Sequence, residues 1–339
     1  MNSSEYENHA SVALRAVQRA CQVCVHVQQK LVSGDTLAKK DRSPVTIADF
    51  AAQALILNTL AEWDDSIPCV AEEEADTLSE NRELWQTCER VLEPVQPQLY
   101  GDRILEAIRL GGYHGGSSGK FWTLDPIDGT KGFLRNEQYA IALGLIENGE
   151  CVLGVLGCPN LPQNWQRPEQ NRGCLFVAQK GGGAFQLPID AGSFEQEKER
   201  IEVCPLQDLS QAAFCESVES GHTRQDISGQ IAEQLGIVAE PVRMDSQCKY
   251  AAVARGDAAV YLRLPTKPGY QECIWDHAAG KVILEEAGAR VGDVDGKPLD
   301  FGKGRTLSAN RGVIATLPAF FDQVVQATGV QLEKTANRA

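Results

Sequence analysis

The sequence has no run of basic residues, no apolar stretch of bilayer length, no internal repeat and no low-complexity segment. Each absence removes a class of protein. With 32 Lys and Arg against 46 Asp and Glu, the formal charge is −14, and such a surface field repels phosphate polymers, so nucleic acid is not an expected partner. No apolar stretch reaches the roughly 20 residues needed to cross a hydrocarbon core, so no membrane is expected either. The opening stretch MNSSEYENHASVALRAV has neither a charged region followed by an apolar run nor an Arg-rich transit composition, so no leader is expected. The 11 cysteines are odd in number and lack the dense spacing of a disulfide scaffold, which predicts reduced thiols and a cytoplasmic protein.

What is present is the composition of an ordinary packed protein, 43% hydrophobic and 23% charged over 339 residues, long enough for two coupled sub-domains. Apolar residues from Val12 to Leu31 recur at steps of three and four, predicting a helix over 11–31. A second helix is expected in PVTIADFAAQALILNTLAEW, where Thr46 and Asp49 have capping-box spacing that would put Asp49 in the first turn. After IPCVAEEE and two helical patterns, strand signals dominate from KFWTLD to GAFQL, giving helices layered on a mainly antiparallel sheet. Beyond Val203 strands and helices alternate. The expected division is an N-terminal α+β sub-domain at 1–203, a smaller C-terminal α/β sub-domain at 204–332 and a tail at 333–339.

The segment WTLDPIDGTKGF, residues 122–133, ends an apolar strand with two carboxylates three residues apart. Pro126 biases Asp125 to extended backbone, and Gly129 permits a tight turn after Asp128. Adjacent buried carboxylates repel by roughly 4 kcal/mol at ~4 Å in an intermediate dielectric, so they call for a cation between them. Hard divalent ions with oxygen ligands meet that need. Taken alone, Asp-Pro and Asp-Gly are also plain turn formers. The nearby GGSSGK is no phosphate loop, because His114 and Phe121 occupy positions where that motif needs Gly and Ser or Thr. Cys21 and Cys24 form a CxxC without a second metal pair, which reads as core packing.

The full string resembles the DPxDGT motif of the lithium-sensitive, magnesium-dependent phosphatase superfamily. That group includes inositol monophosphatases, inositol polyphosphate 1-phosphatases, fructose bisphosphatases and bisphosphate nucleotidases. The resemblance extends over nearly the whole chain. VAEEE is similar to the family's Gly-Glu-Glu step, with Ala71 where glycine is usual, and IWDHAAGKVILEEAGARV resembles its WDxAAG signature. The resemblance implies a layered α-β-α-β-α sandwich of the sugar phosphatase type. It also implies that Glu72, Asp125, Asp128, Asp276 and the carbonyl of Ile127 hold two or three magnesium ions, with lithium inhibitory. The ions would polarise the phosphoryl oxygens and acidify a water that Asp49 and Thr130 orient and deprotonate. Without the resemblance, Asp276 reads as a helix N-cap and Glu72 as part of a solvated acidic run.

Lys131, Gly132 and Phe133 after the shared DGT resemble the nucleotidase branch, as do FCESVESGH, MDSQCKYA and YLRLP. By that resemblance Gly129 and Thr130 line the substrate site, His222 lies at the adenosine, and Ser246, Lys249 and Arg263 grip the retained phosphate. The implied reaction is hydrolysis of adenosine 3',5'-bisphosphate at its 3' position, with the sulfated nucleotide a further substrate, in a monomer whose partner is a small nucleotide. The competing readings are an inositol polyphosphate or sugar phosphatase and a regulatory binding protein that kept the fold.

Overall fold

The computed structural model describes residues 3–32, 43–218, 225–265, 267 and 269–336. The apolar stripe of the N-terminal pattern forms helix α1 (Ser3–Leu31), which begins before the stripe itself. Helix α2 (Ser43–Trp63) is apolar on every side, and such a helix must be buried. It corrects one expectation, since Pro44–Trp63 is long and apolar enough to cross a membrane. Here it lies against α1, with Ala48, Phe50, Ala51, Leu55 and Ile56 fully buried in the core.

Seven strands form the larger sheet in the order of the chain: β1 (Cys69–Ala71), β2 (Lys120–Asp128), β3 (Ala140–Glu147), β4 (Glu150–Pro162), β5 (Arg172–Gln179), β6 (Gly183–Pro188) and β7 (Glu199–Ile201). Only the β1–β2 pair is parallel, because helices α3 (Ala75–Ser79), α4 (Arg82–Leu92) and α5 (Asp102–Arg109) cross between them. The central strands are apolar on both faces, as a sheet covered on both sides requires. Ile141, Leu143 and Leu145 of β3 join the core under α1 and α2, while Ala140, Ala142 and Ile146 join the core on the opposite face.

Beyond β2 comes the short helix α6 (Thr130–Leu134), and a one-turn helix α7 (Phe194–Glu197) precedes β7. The second half supplies β8 (Phe214–Glu216), α8 (Gln225–Gln234), β9 (Val242–Arg243), α9 (Cys248–Ala254), β10 (Val260–Arg263), α10 (Ala278–Glu286), β11 (Arg290–Gly292), β12 (Val313–Thr316) and α11 (Pro318–Ala336). Its sheet is mixed, in the order β11-β12-β10-β8-β9. Helices α9 and α10 lie between the two sheets, and α8 and α11 cover the outer face of the smaller one. The stack is therefore helix, sheet, helix, sheet, helix, the layered sandwich that the sequence motifs implied. Helix α11 runs to Ala336, so residues 333–336 of the expected tail continue it, and 337–339 lie outside the described residues.

One glycine sets the spacing of the middle layers. At Gly154 in β4 an added Cβ would stand 2.5 Å from the Ala279 carbonyl oxygen of α10. Only a bare Cα lets this helix seat on the sheet.

Candidate active site

In the parallel pair β1–β2, Ala71 lies opposite Leu124. The next residues, Glu72 and Asp125, therefore leave neighbouring strand ends side by side. Strand β2 does not turn at the Asp-Pro step but continues to Asp128, with a register slip against β3 between Asp125 and Asp128. Such bulges re-aim side chains. Ile127 within it has a buried side chain in the core under α2. Gly129 then takes φ +89, and a Cβ there would approach Ser246 Cβ to 2.9 Å. Both conditions demand glycine, and the chain turns into α6 with exposed Thr130 as its first residue.

A cavity of about 280 Å³ opens at this point, and its lining includes Asp128, Gly129, Thr130, Ser246, Lys249, Arg263 and Asp276. Residues predicted from motifs more than a hundred positions apart thus share one wall. A larger groove of about 440 Å³ lies beside Gln163, Arg167 and Gln186, but its lining contains none of the predicted site residues. His222 lies outside the described residues.

Two capping readings are corrected. Helix α2 starts at Ser43, which puts Asp49 in the second turn, where a side chain no longer meets orphan N–H groups. It is buried at 6% exposure and lies one turn beyond Val45, which lines the cavity with Thr130. Asp276 is not an N-cap either. Helix α10 begins at Ala278, with His277 at the cap position and no side-chain cap bond.

The carboxylates are crowded and short of cations. Asp125 is 2% exposed, and its Oδ1 is buried without a hydrogen-bond partner. Burial raises its carboxyl far above the usual range, helped by the charges of Glu72, Asp128, Asp276 and Asp49. Burial likewise pushes Asp276 up to about 7 against the pull of Arg263. Glu72 keeps an open side to solvent yet is also pushed to about 7, by surrounding protein first and by Glu73 second, with a hydrogen bond to Asp125 opposing. Asp49 is raised by burial and then by Glu73 and Glu72. An all-oxygen set of mutually repelling groups with an orphaned buried acceptor fits a hard divalent cation. Gln53 of α2 clamps the backbone of Glu73, next to Glu72, accepting from the N–H at 3.0 Å and donating to the carbonyl at 2.7 Å.

The cationic side is held as firmly. Lys249 is buried, its Nζ 3.4 Å from the Met244 carbonyl and 5.6 Å from the centre of the Tyr261 ring. Burial lowers its pKa, with Asp128 opposing. Arg263 donates through Nε at 2.9 Å and Nη2 at 2.8 Å to Glu272 Oε2. Burial would raise the Glu272 carboxyl, but the His277 ring 3.5 Å away and the paired Arg263 guanidinium hold it at about 2. Glu272, Asp276 and His277 offer ligand atoms within 4.8 Å of one another, a possible acidic metal-binding cluster that shares Asp276 with the motif set. Ser246 takes φ +67, unusual for a residue with a side chain, and its Oγ accepts from Cys248 N at 3.2 Å.

Sequence reasoning missed several residues of this cavity. Gln247 donates its backbone N–H to Asp128 Oδ2 at 2.6 Å, while its side chain donates to the Trp275 carbonyl at 2.9 Å and accepts from Gly280 N at 3.0 Å. It couples both acidic motifs, and its place inside MDSQCKYA was the available signal. Tyr270, 49% exposed, lines the same cavity, as do Ser217 and Asp245. Asp245 pairs with Arg135 and accepts from Ser217 Oγ at 2.9 Å. The eleven cysteines are free thiols, with Cys21 and Cys24 buried on α1, in keeping with packing.

Residues 4–328 match the model of the inositol monophosphatase family. A 3'(2'),5'-bisphosphate nucleotidase of Schizosaccharomyces pombe is 43% identical over 347 residues, covering 97% of each chain. One of Dictyostelium discoideum is 42% identical, covering 90% of this chain and 92% of its own. Among solved structures, Mycobacterium tuberculosis SuhB superposes with a TM-score of 0.62 at 20% identity, over 96% of this chain and 97% of its own. CysQ from Bacteroides thetaiotaomicron, a bacterial member of the same family, gives 0.61 at 21% identity, over 91% and 97%. These two likenesses concern the fold, and with the family match and the nucleotidase relatives they agree with the carboxylate-lined cavity: the chain belongs to the inositol monophosphatase family.

Proposed function

We propose that this protein is a magnesium-dependent phosphomonoesterase that hydrolyses the 3'-phosphate of adenosine 3',5'-bisphosphate to AMP and phosphate. One observation carries the reading. A single cavity joins the acidic motifs to buried Lys249 and partly buried Arg263, in a chain whose net charge is −14. A substrate with one phosphate to lose and another to keep matches those two walls. The Schizosaccharomyces pombe and Dictyostelium discoideum relatives, both 3'(2'),5'-bisphosphate nucleotidases, support the same choice.

In this reading Glu72, Asp125, Asp128, Asp276 and the Ile127 carbonyl hold the ions. Bound magnesium supplies Lewis-acid polarisation of phosphoryl oxygen and acidification of water. Thr130, exposed at the start of α6, orients the attacking water, and Asp49, whose carboxyl burial has made more basic, accepts its proton. Lys249, Arg263 and Ser246 hold the 5'-phosphate, and the half-exposed ring of Tyr270 stands where a base can stack. In this reading the half at 1–203 supplies most of the ion ligands, and the half at 204–332 supplies Asp276 and the groups that hold the retained phosphate. The test compares phosphate release from adenosine 3',5'-bisphosphate, its sulfated form, inositol 1,4-bisphosphate and a simple monophosphate. Lys249→Ala is expected to impair the bisphosphate at least tenfold more than the monophosphate. Equal impairment, or strong preference for the inositol substrate, refutes the nucleotide reading while leaving a phosphatase.

A further inference from the structure

Glu72 and Asp276 lie on separate segments, 204 positions apart, and the spacing between them must be set by something other than either carboxylate. Arg305 touches both segments. Its Nη2 donates to the carbonyl of Ala71, the residue before Glu72, at 2.8 Å. Its guanidinium carbon stands 4.8 Å from the centre of the Trp275 ring, the residue before Asp276. Nη1 reaches the Tyr113 carbonyl at 3.4 Å, beside the end of β1.

The backbone of Arg305 is fixed to the same loop. Ile274 N donates to the Arg305 carbonyl at 3.0 Å, Leu307 N donates to the Glu272 carbonyl at 2.8 Å, and Cys273 and Thr306 form an antiparallel bridge. The short ladder brings Trp275 beside Arg305, whose side chain packs on that ring and reaches on to the end of β1. A planar guanidinium is suited to this task because it can stack on an indole face and donate in its own plane at once. A lysine has no such plane.

We propose that Arg305 is a positioning residue for metal binding, holding the Glu72 and Asp276 segments at a fixed separation without itself contacting ion or substrate. The inference rests on the metal-binding role proposed above for those two carboxylates.

The test measures Mn2+ binding directly, by loss of the free-ion electron paramagnetic resonance signal, on folded protein without substrate. Partners around a metal's ligands typically contribute 10- to 100-fold to affinity, so Arg305→Met is expected to weaken Mn2+ by roughly that factor and Arg305→Lys by less. Arg255→Met is the control, since Arg255 makes the same kinds of contact elsewhere, donating to the Pro162 carbonyl at 2.8 Å with its guanidinium 5.9 Å from the Phe176 ring centre. It should lower the Tm and leave Mn2+ affinity at the wild-type value. Wild-type affinity in Arg305→Met, or equal weakening in Arg255→Met, overturns the proposal. If Arg305→Met does not fold, Arg305→Lys decides, and wild-type affinity there overturns it. A wild-type protein that binds no Mn2+ sinks the metal reading together with this one, whereas normal wild-type binding with an unaffected Arg305 variant sinks this one alone.

Discussion

Asp276→Asn should make the metal-free protein more stable at alkaline pH while abolishing its use of metal. Asp276 has its carboxyl pushed from 3.8 to about 7 by burial, against Arg263 and with the Asp128 charge adding to it. In the folded chain its proton is therefore held more tightly than in the unfolded one. The stability this contributes is fully present below the unfolded value near pH 4 and is lost as the pH climbs through about 7. At roughly 1.36 kcal/mol per pH unit the gap corresponds to ~4 kcal/mol, and sharing of protons among neighbouring carboxylates brings the expected figure to about 2–4 kcal/mol. Asparagine is never charged, so the variant escapes that loss. For a chain of this length the gain corresponds to roughly 3–6 °C in Tm. Melting curves in EDTA should coincide for the two proteins near pH 4 and separate by that amount at pH 8. Magnesium at a thousand times its Kd should then close or reverse that gap at pH 8, because only the wild type gains from binding, by about 4.1 kcal/mol. An Asp276→Asn protein less stable than wild type at pH 8 in EDTA would refute the electrostatic reasoning.

Thr130→Ala and Asp49→Ala should lower kcat far more than they raise KM, since both are proposed to act on water. With Asp49 in the second turn of α2, its loss carries no capping cost, so a kcat left at wild type would return it to a packing role. Tyr270→Ala should raise KM for the nucleotide several-fold and leave KM for inositol 1,4-bisphosphate unchanged; equal effects would remove base stacking from the site. Millimolar lithium should inhibit wild-type turnover, and insensitivity would count against the nucleotidase branch without touching the metal mechanism.

The fold was legible where periodicity was strong. The five strands from KFWTLD to GAFQL and the alternation after Val203 are visible because apolar runs and turn residues are local signals. The start of α2 was misread because Thr46 and Asp49 imitate a capping box inside a helix that began earlier. The acidic motifs were legible as a set, since DPIDGT packs a strand end, a bulge and a turn into a few residues. Gln247, Glu272 and Arg305 were not. Their roles come from which distant segments they join, and spacing along the chain carries no record of that. Arg263 was expected to grip a phosphate, and nothing in YLRLP signals that two of its nitrogens are already paired with Glu272.

The seat of α10 on the larger sheet has a consequence for evolvability. Gly154 lies on a central strand with no polar group near the chemistry, yet the Ala279 carbonyl above it belongs to the residue three positions after Asp276. A methyl group added at Gly154 would stand roughly 1 Å inside ordinary contact with that carbonyl, given typical separations near 3.5 Å. The helix would have to lift, and its leading end carries the aspartate. The absence of a side chain at Gly154 therefore works as a depth stop for a proposed metal ligand, and the smallest of substitutions in an apolar layer should be felt as a change in reach at the cavity floor.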